Sequence, residues 1–112
     1  MAAATAVVSR PSLTSIEDVF INIFQVTATL DPDNVTNGAT GTATDTVAVP
    51  GVALGDVVLG FSLSVDQAGV SRVAYVSAAN TVTIVAQNLT GGAVNAASGT
   101  VRLLIGRLAP NL

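Results

Sequence analysis

Histidine, cysteine, tryptophan and lysine are all missing from this chain of 112 residues, and only 11 of its side chains are charged: seven acids and four arginines. Without imidazole or thiolate the usual nucleophiles, general bases and zinc ligands are absent, and no disulfide can form. The composition therefore predicts no enzyme and no cofactor. A core of about 100 residues or more stands without staples, so the lack of cysteine fits a reducing compartment without requiring one. Aromatic side chains are also scarce, three Phe and one Tyr. That scarcity weakens both a glycosidase cleft built on paired carboxylates and a sugar-binding module, although Tyr75 and the loop at residues 89–99 could form a modest site.

With no lysine and a net charge of −3, the chain lacks what neutralises phosphates, so nucleic acid is not expected as a partner. No 18 apolar residues run together and no basic residue precedes the short apolar run near the start, so neither a membrane-spanning helix nor a secretory signal is expected. A folded monomer of 11.1 kDa exposes roughly 5,600 Å², or on the order of 500 Å² per charged side chain. Either uncharged polar groups cover that surface (Thr, Ser, Asn and Gln total 31) or other subunits do. The charges are segregated as well. Residues 1–66 carry all seven acids and only Arg10, a sum of −6, while residues 67–112 carry Arg72, Arg102 and Arg107, a sum of +3. This asymmetry suits head-to-tail contact between copies, or neutralisation of one half by the other inside a single fold.

What is present is β pattern. Residues 1–19 read as an N-terminal arm, with Arg10-Pro11 and a weak S-x-x-D capping signature at Ser15 and Asp18, or as a loose tail. From residue 20 the period is two. Phe20, Asn22, Phe24, Val26, Ala28 and Leu30 share one face, and Ile21, Ile23, Gln25, Thr27 and Thr29 the other, so the first half of the strand is apolar on both sides and should be covered on both. Asp31-Pro32-Asp33-Asn34 ends it. A second strand over residues 42–49 alternates Thr42, Thr44 and Thr46 with Ala43, Asp45, Val47 and Val49. A third over residues 57–65 predicts Val57, Leu59, Phe61, Leu63 and Val65 as one wall of the core.

A fourth strand over residues 70–77 leaves its inner face open, because Val70, Ala74 and Val76 share a side with Arg72 while Val73 and Tyr75 share the other. Asn80 is the hairpin residue best able to accept a positive φ. Residues 81–88 turn Val82, Ile84 and Ala86 inward. Residues 100–107 turn Val101, Leu103 and Ile105 inward and put Arg102 outside. These strands predict an all-β fold, an antiparallel β-sandwich or small β-barrel of about six to eight strands, with residues 20–112 as one domain behind the arm.

Candidate chemistry is thin. Asp31, Asp33 and Asn34 are the best metal group, but Val35 and Thr36 stand where a calcium loop needs oxygen ligands and a glycine, so a plain turn is the better reading and no metal site is expected. Asn34-Val-Thr36 and Asn88-Leu-Thr90 match the N-glycosylation pattern by composition alone. The glycines at 91, 92 and 99 lack the Lys and helix of a phosphate loop.

Three runs carry a resemblance. They are Thr46-Val-Ala-Val-Pro-Gly-Val-Ala-Leu-Gly-Asp56-Val-Val, Ala74-Tyr-Val-Ser-Ala-Ala-Asn80-Thr-Val-Thr-Ile, and Gln87-Asn88-Leu-Thr-Gly-Gly-Ala-Val-Asn95-Ala-Ala-Ser-Gly-Thr100-Val-Arg102. Together they resemble the β-domain of small structural proteins of tailed bacteriophages, over roughly residues 46–107; residues 1–45 carry no part of it. The resemblance implies a head decoration (cement) protein. Such a protein binds the outer surface of the capsid as a trimer and stabilises contacts between major capsid subunits without catalysis, on the virion, after synthesis in the host cytoplasm. A head-fibre or tail-appendage domain touching the host surface or glycans is the alternative. The expected partners are the major capsid protein and further copies of the chain. The residues expected at subunit or capsid contacts are Arg10, Pro11, Phe20, Ile21, Ile23, Phe24, Arg102 and Arg107.

Overall fold

A computed structural model describes residues 19–32 and 41–109. Six strands follow one another: β1 (Phe20–Leu30), β2 (Thr42–Ala48), β3 (Val57–Leu63), β4 (Ser71–Ala78), β5 (Thr81–Gln87) and β6 (Gly99–Leu108). They form two antiparallel three-stranded sheets, ordered β1-β6-β3 and β2-β5-β4. The fold is a small β-sandwich rather than a closed barrel. The expected arm lies outside the described residues up to residue 18, as do Asp33 and Asn34.

Only β4 and β5 are joined as a hairpin. The other connections between strands pass from one sheet to the other, so β5 and β6, late in sequence, become the central strands. Their inward faces alternate as the period of two demands, and they are the driest part of the molecule: Val82, Ile84, Ala86, Val101 and Ile105 have no solvent exposure. Leu30, Val47, Val49, Val52, Val76 and Leu103 complete the core, with Phe24, Val26, Phe61 and Leu63 packed against it. β3 and β4 lie beside each other at one side of the sandwich. On the other side β1 and β2 are the outer strands, each with a single ladder partner.

The hairpin tip fastens the two sheets together. Asn80 takes a positive φ of 61°, as its side chain permits, and its Oδ1 accepts the Gly51 N–H at 2.9 Å. Its own N–H donates to the Val52 carbonyl, and Val49 N–H donates to the Asn80 carbonyl. The β4–β5 turn is thus bonded to the segment that carries the chain from β2 to β3. At the opposite end of β5, buried Asn88 organises the following loop: Nδ2 donates to the Gly92 carbonyl at 2.7 Å, and Oδ1 accepts both the N–H and the hydroxyl of Thr90. The Asn88-Leu-Thr90 tripeptide is therefore a turn that ties a loop, with its amide fully engaged.

One expectation needs correction, and one open question is answered. The wall predicted on β3 is not a single face. The ladder to β6 shifts between Val58 and Gly60, so Leu59 is an extra residue in a β-bulge. Beyond a bulge the alternation inverts. Val58, Phe61 and Leu63 pack on the core, whereas Val57 and Leu59 are about two-fifths exposed. Gly60 sits at the shift. The inner face of β4, left open by the sequence pattern, is the one that carries Arg72. Arg72 lies inside with Ala74 and Val76, and Val73 and Tyr75 lie outside. Asp45, two strands away across β5, stands 4.0 Å from Arg72 Nη1, both side chains nearly free of solvent, and Arg72 Nε donates to Gln67 Oε1. A buried arginine is tolerable only with such companions.

Truncating Ile84, dry on all sides at the centre of its sheet, should cost about 2–5 kcal/mol of unfolding free energy in Ile84→Ala, whereas Val73→Ala on the open face should stay within about 0.5 kcal/mol. Urea denaturation measures both.

Candidate functional site

The described surface is built from very few charges. Of the three arginines in the second half of the chain, two stand beside acids of the first half. Arg72 faces Asp45 inside the sandwich. Arg107 grips Asp56 with two parallel bonds, Nε to Oδ1 at 2.9 Å and Nη2 to Oδ2 at 2.8 Å, and Nη2 also donates to the Gly51 carbonyl at 2.9 Å. Its guanidinium lies 5.7 Å from the centroid of the Phe24 ring. Two of the three second-half arginines thus meet first-half acids within one fold. Asp31, Asp66 and Arg102 are the charged residues left exposed among those described.

Arg107 and Phe24, both expected at an interface with another molecule, make contacts within the fold. Asp56 caps its own turn by accepting the Ala53 N–H at 2.9 Å, Gly55 supplies the positive φ of that turn, and Arg107 locks it to β6. The bidentate bond to Arg107 is the largest influence on the Asp56 carboxyl and holds it below the ordinary carboxylate range, while the same bond raises Arg107 above its own.

The candidate site is the outer face of the β1-β6-β3 sheet. Here the chain leaves apolar side chains uncovered. β1 carries a register shift between Phe20 and Asn22, which corrects the expectation that Phe20 shares a side with Phe24. Phe20 pairs with Leu108, and its ring lies over Gly106, where a Cβ would meet it at 2.6 Å. Leu59, pushed out by the bulge in β3, reaches the same glycine, at 3.2 Å from that position. Ile23 and Val57 flank Gly106 in the ladder, and Leu104 and Leu108 precede and follow it on the same side of β6. Two glycines thus shape this face: Gly106 makes room for the Phe20 ring, and Gly60 opens an adjoining depression of about 500 Å³ lined by Gln25, Thr27, Ser62, Arg102 and Leu104.

Ile21 and Ile23 are 55% and 40% exposed, and Leu104 and Leu108 are 36% and 51% exposed. The side of β1 that the pattern expected to be covered is therefore open in the single chain. Toward the far end the face turns polar: Thr27, Arg102 and Ser62 form one row across the sheet, and Thr29 lies opposite Thr100. Arg102 stands exposed there, on the side the alternation assigned it. Phe20, Ile21, Ile23 and Arg102 are thus brought onto or beside one face. Arg10 and Pro11 lie outside the described residues.

The residues that sequence reasoning missed here are Val57, Leu59, Leu104, Leu108 and Gly106. A signal existed for one pair. Leu103-Leu104-Ile105 is apolar at consecutive positions, so β6, like the start of β1, carries apolar side chains toward both faces. For Val57 and Leu59 there was none, because a bulge cannot be read from an unbroken alternation. The other sheet's outer face differs in kind: Thr42, Thr44, Thr46 and Tyr75 line it with hydroxyls, and Val73 and Ala48 are exposed among them. Among the described residues no three acidic side chains gather in a way that would hold a metal ion.

Two measurements test this arrangement. In Gly106→Ala the new methyl must displace the Phe20 ring, which should lower stability by about 1–3 kcal/mol, read by thermal denaturation. For Asp56 the folded pKa lies below its unfolded value of 3.8, so the pair stabilises the fold fully above that value, and the contribution fades as pH falls through the lowered folded pKa. The melting-temperature gap between wild type and Asp56→Asn should be constant near neutrality and close only in acid below the ordinary carboxylate range; a gap that closes at higher pH would contradict the assignment.

Comparison with known proteins gives no family: no family model, no curated protein and no solved structure matches the chain.

Proposed function

We propose that this protein is a bacteriophage capsid decoration (cement) protein. On this reading it binds the outer surface of the head as a trimer and stabilises contacts between major capsid subunits, with no reaction to catalyse. The observation that carries the reading is the outer face of β1-β6-β3: an apolar surface, pinned around Gly106, that one chain leaves open on a domain with three exposed charges among its described residues. A protein whose work is chemistry needs convergent polar groups. One whose work is adhesion needs the opposite, a rigid and weakly charged face that gains by leaving water.

The mechanism would be mechanical. Each copy bridges neighbouring capsid subunits at places where internal pressure pulls them apart, and many modest contacts act together across the shell. The stiffness comes from the sandwich, since the face is built on three laddered strands rather than on loops. On this reading residues 1–19, which precede β1 in the sequence, extend the contact. One observation favours the alternative of a head-fibre or tail-appendage domain: Tyr75 and Val73 stand exposed among the threonines of the opposite sheet, a neutral, hydroxyl-lined face of the sort a host glycan could meet.

Purified protein mixed with expanded, undecorated heads should appear as ordered density on their outer surface by cryo-electron microscopy. Deleting residues 1–19 should abolish that binding while the circular dichroism of the β-domain is kept. Normal decoration by the truncated protein would remove the arm from the mechanism, and binding to host cells or glycans with none to heads would replace cement by appendage.

A further inference from the structure

We infer that the apolar half of the β1-β6-β3 outer face, formed by Phe20, Ile23, Val57, Leu59, Leu104 and Leu108 around Gly106, is where copies of this chain meet one another. The polar half around Arg102 is left for other partners. The inference names the surface of the proposed trimer but does not depend on capsid binding.

Size is the first argument. From their fractional exposures, Ile21, Ile23, Val57, Leu59, Leu104 and Leu108 leave roughly 500 Å² of largely apolar surface, at the upper range of what monomers leave open and more than half of the ~800 Å² per partner of a stable interface. Contiguity is fixed by the ladder. Ile23, Gly106 and Val57 form one row across three strands, Phe20 and Leu108 form the next, and Leu59 closes over the glycine.

Charge is the second. A copy meeting its own surface faces its own charges, so a self-interface needs a patch without a dominant sign. Of the three exposed charges described, Asp31 follows the far end of β1, Asp66 lies in the connection after β3, and Arg102 occupies the polar row beyond Leu104. None lies within the apolar half. Copies can therefore approach one another on this patch without like-charge repulsion between its described residues.

The third is the open edge. β1 has a ladder partner only in β6, and its start, Phe20 to Ile23, forms both the rim of the patch and the end of an eleven-residue outer strand. Natural sheets cover or blunt such edges. A neighbouring copy seated on the patch would shield this one.

The test uses the full chain in solution. Sedimentation equilibrium and light scattering should show a concentration-dependent oligomer that persists or tightens from about 50 to 500 mM salt, as apolar contacts do and ion pairs do not. Leu104→Glu places a charge in the patch at a position already 36% exposed, so the fold can accept it, and it should weaken association by at least about tenfold. Val73→Glu, on the opposite sheet at 64% exposure, makes the same charge change outside the patch and should leave the oligomer intact. Circular dichroism checks that both variants fold.

A monomeric wild type, or Leu104→Glu and Val73→Glu behaving alike, would overturn the inference. An oligomer that dissolves as salt rises would overturn it too, in favour of charge pairing between copies. The decoration reading fails separately: an oligomer disrupted by Leu104→Glu that never binds heads keeps the interface and loses the cement, while a monomer that decorates heads does the reverse.

Discussion

The bond between Arg107 and Asp56 is the constraint on which the rest of the structure leans. It joins two residues 51 positions apart, one on the central strand β6 and the other at the turn that launches β3. Around it gather the Phe24 ring of β1 and the Gly51 carbonyl. Gly51 is in turn held by Asn80 at the tip of the other sheet. One chain of contacts therefore runs from β1 through β6 and the crossing segment to the β4–β5 hairpin, connecting both sheets at one end of the sandwich. An arginine is suited to this position because its planar fork satisfies a carboxylate with two bonds and still has a donor for a carbonyl, while its flat face lies against a ring.

The second buried pair, Arg72 with Asp45, works differently. It lies within the core side of the second sheet, where hydrophobic replacement would be as stable or more so. Arg72 Nη1 and Nη2 make no hydrogen bond there. With Arg72 turned inward beside Asp45, Ala74 and Val76 share the inner side of β4, and Val73 and Tyr75 stand on the outer face of that sheet.

Together the two pairs change the meaning of the low charge count. Two first-half acids and two second-half arginines meet inside the domain, so the described exterior keeps only Asp31, Asp66 and Arg102 as exposed charges. A weakly charged exterior with an apolar face has little to keep it apart from other surfaces. That is the physical link between the way the fold is fastened and the adhesive role proposed for it. The two glycines extend the link, since Gly106 seats Phe20 flat on the sheet and Gly60 accommodates the bulge that brings Leu59 beside it.

Strand existence and the inner faces of β5 and β6 were legible from the period of two, because a strand laddered on both edges and buried on one side must alternate. The exposure of Arg102, the positive φ of Asn80 and the apolar character of both sides of early β1 follow from the same local rules. The sheet order was not legible, since late strands become central only through crossings whose ends are held by contacts distant in sequence. Nor were the bulges at Phe20–Asn22 and Val58–Gly60, which reverse alternation using backbone geometry that side-chain pattern does not encode. The inward turn of Arg72 on β4 and the contact of Arg107 with Asp56 bring together residues far apart in sequence, in or beside one sheet. Local periodicity fixed what each strand could bury; only the tertiary pairing decided which apolar side chains stayed outside, and those make the site.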